Sequence, residues 1–172
     1  MNWAALDWTI LGPALVAGLL VLATHVPLGT AVLARGIVFI DLAIAQIAGL
    51  GVIIAMAIGV PEGGVWTQAA AVIAALLGAL LLAWTERRAA QQQEAFIGVL
   101  FVLAACVSIV LLSSNPHGGE HLKDLLVGQI LWVSNTQLAW LAGVTVALLA
   151  AMRAGVTNRL GRFGFYGVFA VA

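Results

Sequence analysis

The stretch Ile37-Val38-Phe39-Ile40-Asp41-Leu42-Ala43-Ile44-Ala45-Gln46-Ile47-Ala48-Gly49-Leu50-Gly51-Val52-Ile53-Ile54-Ala55-Met56-Ala57-Ile58-Gly59-Val60 contains a single ionisable side chain, Asp41. A bilayer-spanning helix needs about 20 largely apolar residues, and this run supplies them. Four other stretches read the same way: Trp8–Ala34, Val65–Thr85, Ala95–Ser113 and Leu131–Met152. None alternates apolar and polar residues with period two, which argues against a β-barrel. The composition agrees. Hydrophobic residues make up 63% of the 172 and charged residues 8%, against roughly 25% charged in a soluble domain. So few charges cannot cover a globule of this size, so lipid is its outer solvent. The predicted fold is all-α, a polytopic transmembrane helical bundle of about five full spans. After Arg162, Phe163 to Ala172 is apolar again. Ten helical residues reach only ~15 Å, half the hydrocarbon core, so this segment reads as the start of a sixth span.

Several classes fall away. The formal net charge is zero, so there is no basic footprint for nucleic acid. One cysteine, Cys106, excludes an internal disulfide framework. The N-terminal segment lacks a basic leader and has Asp7 ahead of a long apolar run, so it does not read as a cleavable signal. Arg35, Arg87, Arg88, Arg153, Arg159 and Arg162 all fall in alternate connections, and the other side holds only Lys123. The bias places the arginines in the cytoplasm and the N-terminus outside. Glycines are expected at close helix contacts, with Gly12, Gly18, Gly49, Gly51 and Gly59 as candidates.

Polar groups at membrane depth are costly, and three stand out: His25, Asp41 and Gln46. Counted from Arg35, His25 and Gln46 lie ~15 Å deep and Asp41 ~9 Å, if the helices run unbroken. Adjacent antiparallel helices would bring His25 and Gln46 to one level. Imidazole nitrogen and carboxylate oxygen suit a borderline divalent cation such as zinc or manganese. The bland readings stay open beside this one. His25 would bond a helix carbonyl, Asp41 would cap a helix or pair with Arg35, and Gln46 would bond a neighbouring helix. Between spans four and five, Ser113 to Asp124 carries His117, Glu120 and His121, which can chelate a metal or stand as an ordinary solvated loop. Beyond it, Leu122 to Val133 reads as a short interfacial helix, and Ser134-Asn135-Thr136 offers caps for span five. A membrane protease would need an activated serine; Ser108 is the one serine well inside a span, and it has no G-x-S-G setting.

Three stretches carry a family resemblance: Pro27-Leu28-Gly29-Thr30, then Phe39 to Gly51, then Leu126-Val127-Gly128-Gln129-Ile130-Leu131-Trp132-Val133-Ser134-Asn135-Thr136-Gln137-Leu138. In order and spacing the chain resembles the N-terminal half of permease subunits of bacterial metal-ion ABC transporters, the zinc/manganese/iron-chelate class. Gln46 stands where that family has a histidine, Asp41 lies one residue early, and Gln129 and Gln137 replace aspartates. The resemblance implies one transmembrane permease domain over residues 1–172, an N-terminal fragment of a longer permease in the bacterial cell (inner) membrane. It implies a non-enzymatic subunit that translocates zinc or manganese by alternating access and holds no covalent cofactor. Its partners would be a cytoplasmic ATPase, an external or periplasmic metal-binding protein and a second permease in a homodimer. These 172 residues contain no G-x-x-x-x-G-K-[ST] phosphate loop, which fits a separate ATPase. The metal-path residues expected on this reading are His25, Asp41, Gln46, His117, Glu120 and His121. His25 would take the nitrogen-ligand role that Gln46 cannot fill. The competing reading is a small non-transporting membrane scaffold.

Overall fold

A computed structural model describes residues 8–61, 64–113, 133–154 and 161–171. They form α1 (Trp8–Arg35), α2 (Ile40–Ala57), α3 (Val65–Ala89), a 3₁₀ turn (Ala90–Gln92), α4 (Gln93–Ser113), α5 (Asn135–Arg153) and α6 (Gly161–Val171). Among the described residues, four stretches are long and apolar enough to cross a membrane: Leu11–Arg35, Ile40–Ala57, Val65–Ser113 and Asn135–Arg153. The third contains both α3 and α4. The protein is thus an all-α, multi-pass membrane bundle. Side chains such as Leu19, Leu77 and Val110 are more than half exposed, as a lipid-facing surface requires.

The helix ends follow from local chemistry. Gly36 (φ 69°) and Gly59 (φ 92°) adopt the left-handed conformation just after α1 and α2. At the first, the Gly36 amide donates to the Leu33 carbonyl (3.1 Å) and the Ile37 amide to Val32 (3.4 Å). At the second, Gly59 donates to Met56 (2.9 Å) and Val60 to Ala55 (3.0 Å). Both are Schellman caps, and the first is closed by apolar contact, since Val32 and Ile37 share one buried cluster. A side chain in the left-handed region costs about 1–2 kcal/mol. Gly36→Ala is therefore expected to lower stability by about 1 kcal/mol, read as a shift of the unfolding midpoint in detergent; an unshifted midpoint would contradict the cap.

The Gly36 turn occupies residues 36–39, so α2 starts at Ile40 rather than Ile37. The Phe39 amide donates to Glu94 Oε1 of α4 (3.2 Å), which places a carboxylate at the positive end of α2. Helix α5 begins at Asn135, later than the apolar run from Leu131 suggests, because Ser134 caps it. The Gln137 amide donates to Ser134 Oγ (3.2 Å), and the Ser134 amide donates to Gln137 Oε1 (2.9 Å). This is a reciprocal capping box.

Helix α2 packs along both α3 and α4, α3 also takes α6, and α1 packs on α5. The α2–α3 contact is close because it is built on glycine. A Cβ at Gly51 would lie 2.5 Å from Ala74 Cβ and 2.8 Å from the Ala70 carbonyl oxygen. One at Gly78 would lie 2.8 Å from Ile47 Cδ1. Residue numbers rise along α2 as they fall along α3, so the two helices are antiparallel. Of the glycines expected at contacts, only Gly51 sits in one; Gly12, Gly18 and Gly49 have nothing within 4 Å of a built Cβ, and Gly59 serves a turn. The main core joins Leu28 and Val32 of α1 to Ile40, Ala43 and Ile44 of α2, Leu82 and Ala83 of α3, Ile97 of α4, and Phe165 and Tyr166 of α6.

Candidate functional site

The polar turn of α1 spans residues 21–30. Thr24 is buried, and its hydroxyl donates to the Val21 carbonyl at 2.9 Å. His25 Nδ1 lies 3.0 Å from the same carbonyl and 3.3 Å from Thr24 Oγ1. A carbonyl only accepts, so in the neutral ring Nδ1 carries the proton and Nε2 keeps its lone pair. Backbone orientation of one ring nitrogen is what fixes the other as a metal ligand in known sites. It is also an ordinary way for a membrane helix to satisfy a histidine, here on its own helix. Pro27 follows, and the Thr30 hydroxyl donates to the Pro27 carbonyl at 2.8 Å.

Asp41 is exposed and lies in the first turn of α2. The continuous-helix depth of ~9 Å does not hold there, because the Gly36–Phe39 turn consumes the intervening residues. Asp41 therefore sits near the arginine-bearing end, where its charge complements the helix dipole. Gln46 is half-buried, ~9 Å along α2 from Ile40, whereas His25 is ~15 Å from Arg35. The two thus differ in level by more than a helical turn. Their helices also have different principal partners, α5 for α1, and α3 with α4 for α2. Among the described residues no group of three or more His, Cys, Asp or Glu side chains could hold a metal ion. His117, Glu120 and His121, and the segment read as an interfacial helix before Val133, lie outside the described residues. Ser108 is buried and its hydroxyl has no hydrogen-bond partner among the described residues, so no imidazole activates it there.

A polar knot lies at the opposite end of the core from the α2–α3 glycine contact. Gln93, the first residue of α4, is buried. Its Nε2 donates to the Leu82 carbonyl (2.9 Å) and to the Tyr166 hydroxyl (3.1 Å). Its Oε1 accepts from Thr85 Oγ1 (3.0 Å). Phe165 meets Tyr166 edge-on with centroids 5.5 Å apart, and the Arg35 guanidinium lies 3.9 Å over the Phe165 ring. Helices α1, α3, α4 and α6 thus converge at one level. The last turns of α1, α3 and α5 each carry arginine: Arg35, Arg87 with Arg88, and Arg153. Among the described residues that end carries four arginines against Asp41, Glu86 and Glu94, a small positive excess.

A family model described as the ABC 3 transport family matches residues 7–157, most of the chain. The chain belongs to the ABC 3 transport family. It is 29% identical over 144 residues to the manganese transport system membrane protein MntC of Halalkalibacterium halodurans, covering 84% of this chain and 48% of that protein. It is 27% identical over 149 residues to an uncharacterized membrane protein, slr2045, of Synechocystis sp., covering 84% of this chain and 50% of that one. The chain spans about half the length of the curated relatives it matches. No solved structure gives a significant match. The likeness to metal-ion ABC permeases read from the motifs holds at the level of family. In this ABC 3 family chain, Gln93 and Glu94 are the residues that sequence reading missed. They sit in a polar run, Gln91 to Glu94, that reads as a plain connection between spans. Glu94 acts on the start of α2, 55 residues away, and not on its own helix, so no local signal marks it.

Proposed function

We propose that the chain is part of the membrane-spanning permease subunit of an ATP-driven transporter that moves a divalent metal ion, manganese or zinc, across the bacterial cell membrane. The observation that carries this is the family match over residues 7–157, joined to the likeness to a manganese transport membrane protein. In this reading α3 and α4 cross separately. Val65–Ser113 is too long for one passage of a ~30 Å core, and the backbone breaks at Ala89 (φ −148°, ψ 56°). That makes five crossings, with α6 as the start of a sixth. The arginine-bearing end faces the cytoplasm and the N-terminus lies outside. A separate ATPase works at the arginine-bearing end, a metal-binding protein delivers cargo from outside, and a second permease completes the path.

The metal is cargo, and it meets side chains in sequence. His117, Glu120 and His121 capture it at the outer loop. His25 offers Nε2 within the membrane, supported by the Nδ1 bond to Val21. Gln46 and then Asp41 lie further toward the arginine end and offer oxygen. In cells carrying the intact transport system, deletion of the ATPase is expected to abolish manganese accumulation. His25→Ala is expected to reduce uptake about tenfold while leaving membrane insertion intact, since a lost ligand or its supporting partner costs 10- to 100-fold. Metal accumulation by inductively coupled plasma mass spectrometry reads both. Unchanged uptake in His25→Ala would remove His25 from the path, and metal accumulation independent of the ATPase would reject the transporter reading.

A further inference from the structure

The core divides α1 at one residue. The α1 members of the main cluster, Leu28 and Val32, both follow Pro27, as does Ala31, which packs against it. Ala17 and Thr24, buried on the N-terminal side of Pro27, lie outside that cluster. Helix α1 packs chiefly on α5. The buried residues of α5, Thr145 and Leu148, are outside the cluster too, and only Met152 near its end touches it. The C-terminal part of α1 therefore shares the core built by α2, α3, α4 and α6. The N-terminal part contributes no residue to that core, and α5, the chief partner of α1, reaches it only through Met152.

The helix is weakest at the junction. Pro27 has no amide proton, so the Ala23 carbonyl loses its helical donor. Hydroxyls of Thr24 and Thr30 bond the carbonyls of Val21 and Pro27, and such back-bonding loosens and bends helices. In membrane helices a proline with neighbouring Ser or Thr side chains is a tolerated break. His25 lies inside this stretch, on the N-terminal side, two residues before the proline.

We propose that α1 is hinged at Pro27, and that its N-terminal part swings with α5 against the α2–α3–α4–α6 body as a gate beside His25. The motion rests only on the packing described above; its role as a gate rests on the transport reading. Closure presses the α1–α5 pair against the fixed body and shields the imidazole. Opening tilts the pair away at Pro27 and admits a cation to Nε2. Hinge motions of this kind concentrate at a few residues that absorb the backbone change.

The test uses the full-length chain in lipid nanodiscs, with the exposed Cys106 replaced by Cys106→Ser so that labels are unique. Leu19→Cys with Ile54→Cys reports the N-terminal part of α1, and Leu33→Cys with Leu80→Cys reports the anchored part; all four positions are exposed. Pulsed electron spin resonance is expected to give a distribution about twice as broad for the first pair as for the second, as a local hinge requires. Pro27→Ala, which supplies the missing amide, is expected to narrow the first distribution. In cells it should lower manganese uptake about tenfold, as stiffened hinges lower turnover. Pro27→Gly keeps the backbone free and should retain both breadth and uptake. Equal breadth for the two wild-type pairs overturns the hinge. So does loss of breadth in Pro27→Gly, which would assign the effect to proline packing. Narrowing in Pro27→Ala with undiminished uptake overturns the gate. Absence of manganese uptake in the wild type rejects the transport reading and leaves the distance distributions to decide the hinge. If Pro27→Ala fails to insert, the wild-type pairs and Pro27→Gly still decide.

Discussion

Gly51→Leu will drive α2 and α3 apart. A Cβ at this position already lies 2.5 Å from Ala74 Cβ and 2.8 Å from the Ala70 carbonyl oxygen, before the rest of a leucine is placed. The carbonyl is main chain, so no rotamer change relieves the overlap. Overpacked cores lose about 1–3 kcal/mol, and a clash with backbone belongs at the upper end, about 3 kcal/mol. The neighbouring contact suffers as well, because Ile47 is seated over Gly78 on the same helix pair. Gly49→Leu is the control. Nothing lies within 4 Å of a Cβ there, so the change should stay within about 0.5 kcal/mol. Unfolding midpoints in an SDS titration separate the two. Equal midpoints for both variants would show that the helices are not in close contact at Gly51.

The second large effect is expected at Gln93. Its amide supports three groups: the Leu82 carbonyl, the Tyr166 hydroxyl and the Thr85 hydroxyl. Gln93→Leu keeps the volume and removes every bond. Leu82 still accepts from Thr85 at 2.9 Å, and the buried Tyr166 hydroxyl keeps its hydrogen bond to Glu86, so what is lost is the Gln93 bonds themselves. Each such bond is worth about 0.5–1.5 kcal/mol net, and about 2 kcal/mol is expected for the three together. Tyr166→Phe should cost less, about 1 kcal/mol, because Gln93 retains its carbonyl and Thr85 bonds. The double variant should cost less than the sum of the two, since the Gln93–Tyr166 bond is lost in each single variant. Strict additivity in a double-mutant cycle would mean that Gln93 and Tyr166 do not share a bond.

The apolar runs made the membrane helices legible because length and hydrophobicity alone decide whether a helix can cross. Their ends were harder. The run from Ile37 gives no sign that Gly36 turns left-handed and delays α2 to Ile40, and this shifts Asp41 to the first turn. Ser134 was readable as a cap because its chemistry is local, with Gln137 three residues on. Gly51 could be named as a contact candidate but not told from Gly49. The two point ~200° apart on a helix, and only the position of α3 decides between them. Gln93 was hidden for a related reason. Its partners are Leu82 and Tyr166, 11 and 73 residues away, and no local pattern predicts that the chain reverses tightly enough to join them. Of the metal-path candidates, His25 has a defined ring orientation on α1, whereas Asp41 and Gln46 share α2, a helix with different principal partners.

The arginines in the last turns of α1, α3 and α5 have an electrical consequence. In the orientation proposed above, with that face toward the cytoplasm, a cell that keeps its interior negative would hold each of these guanidinium groups in place. Drawing one elementary charge outward against a 100 mV potential costs about 2.3 kcal/mol. Each of the three helices therefore resists sliding toward the outside, and the opposition grows as the cell becomes more energised. A bundle with little polar surface to fix its height is moored by voltage.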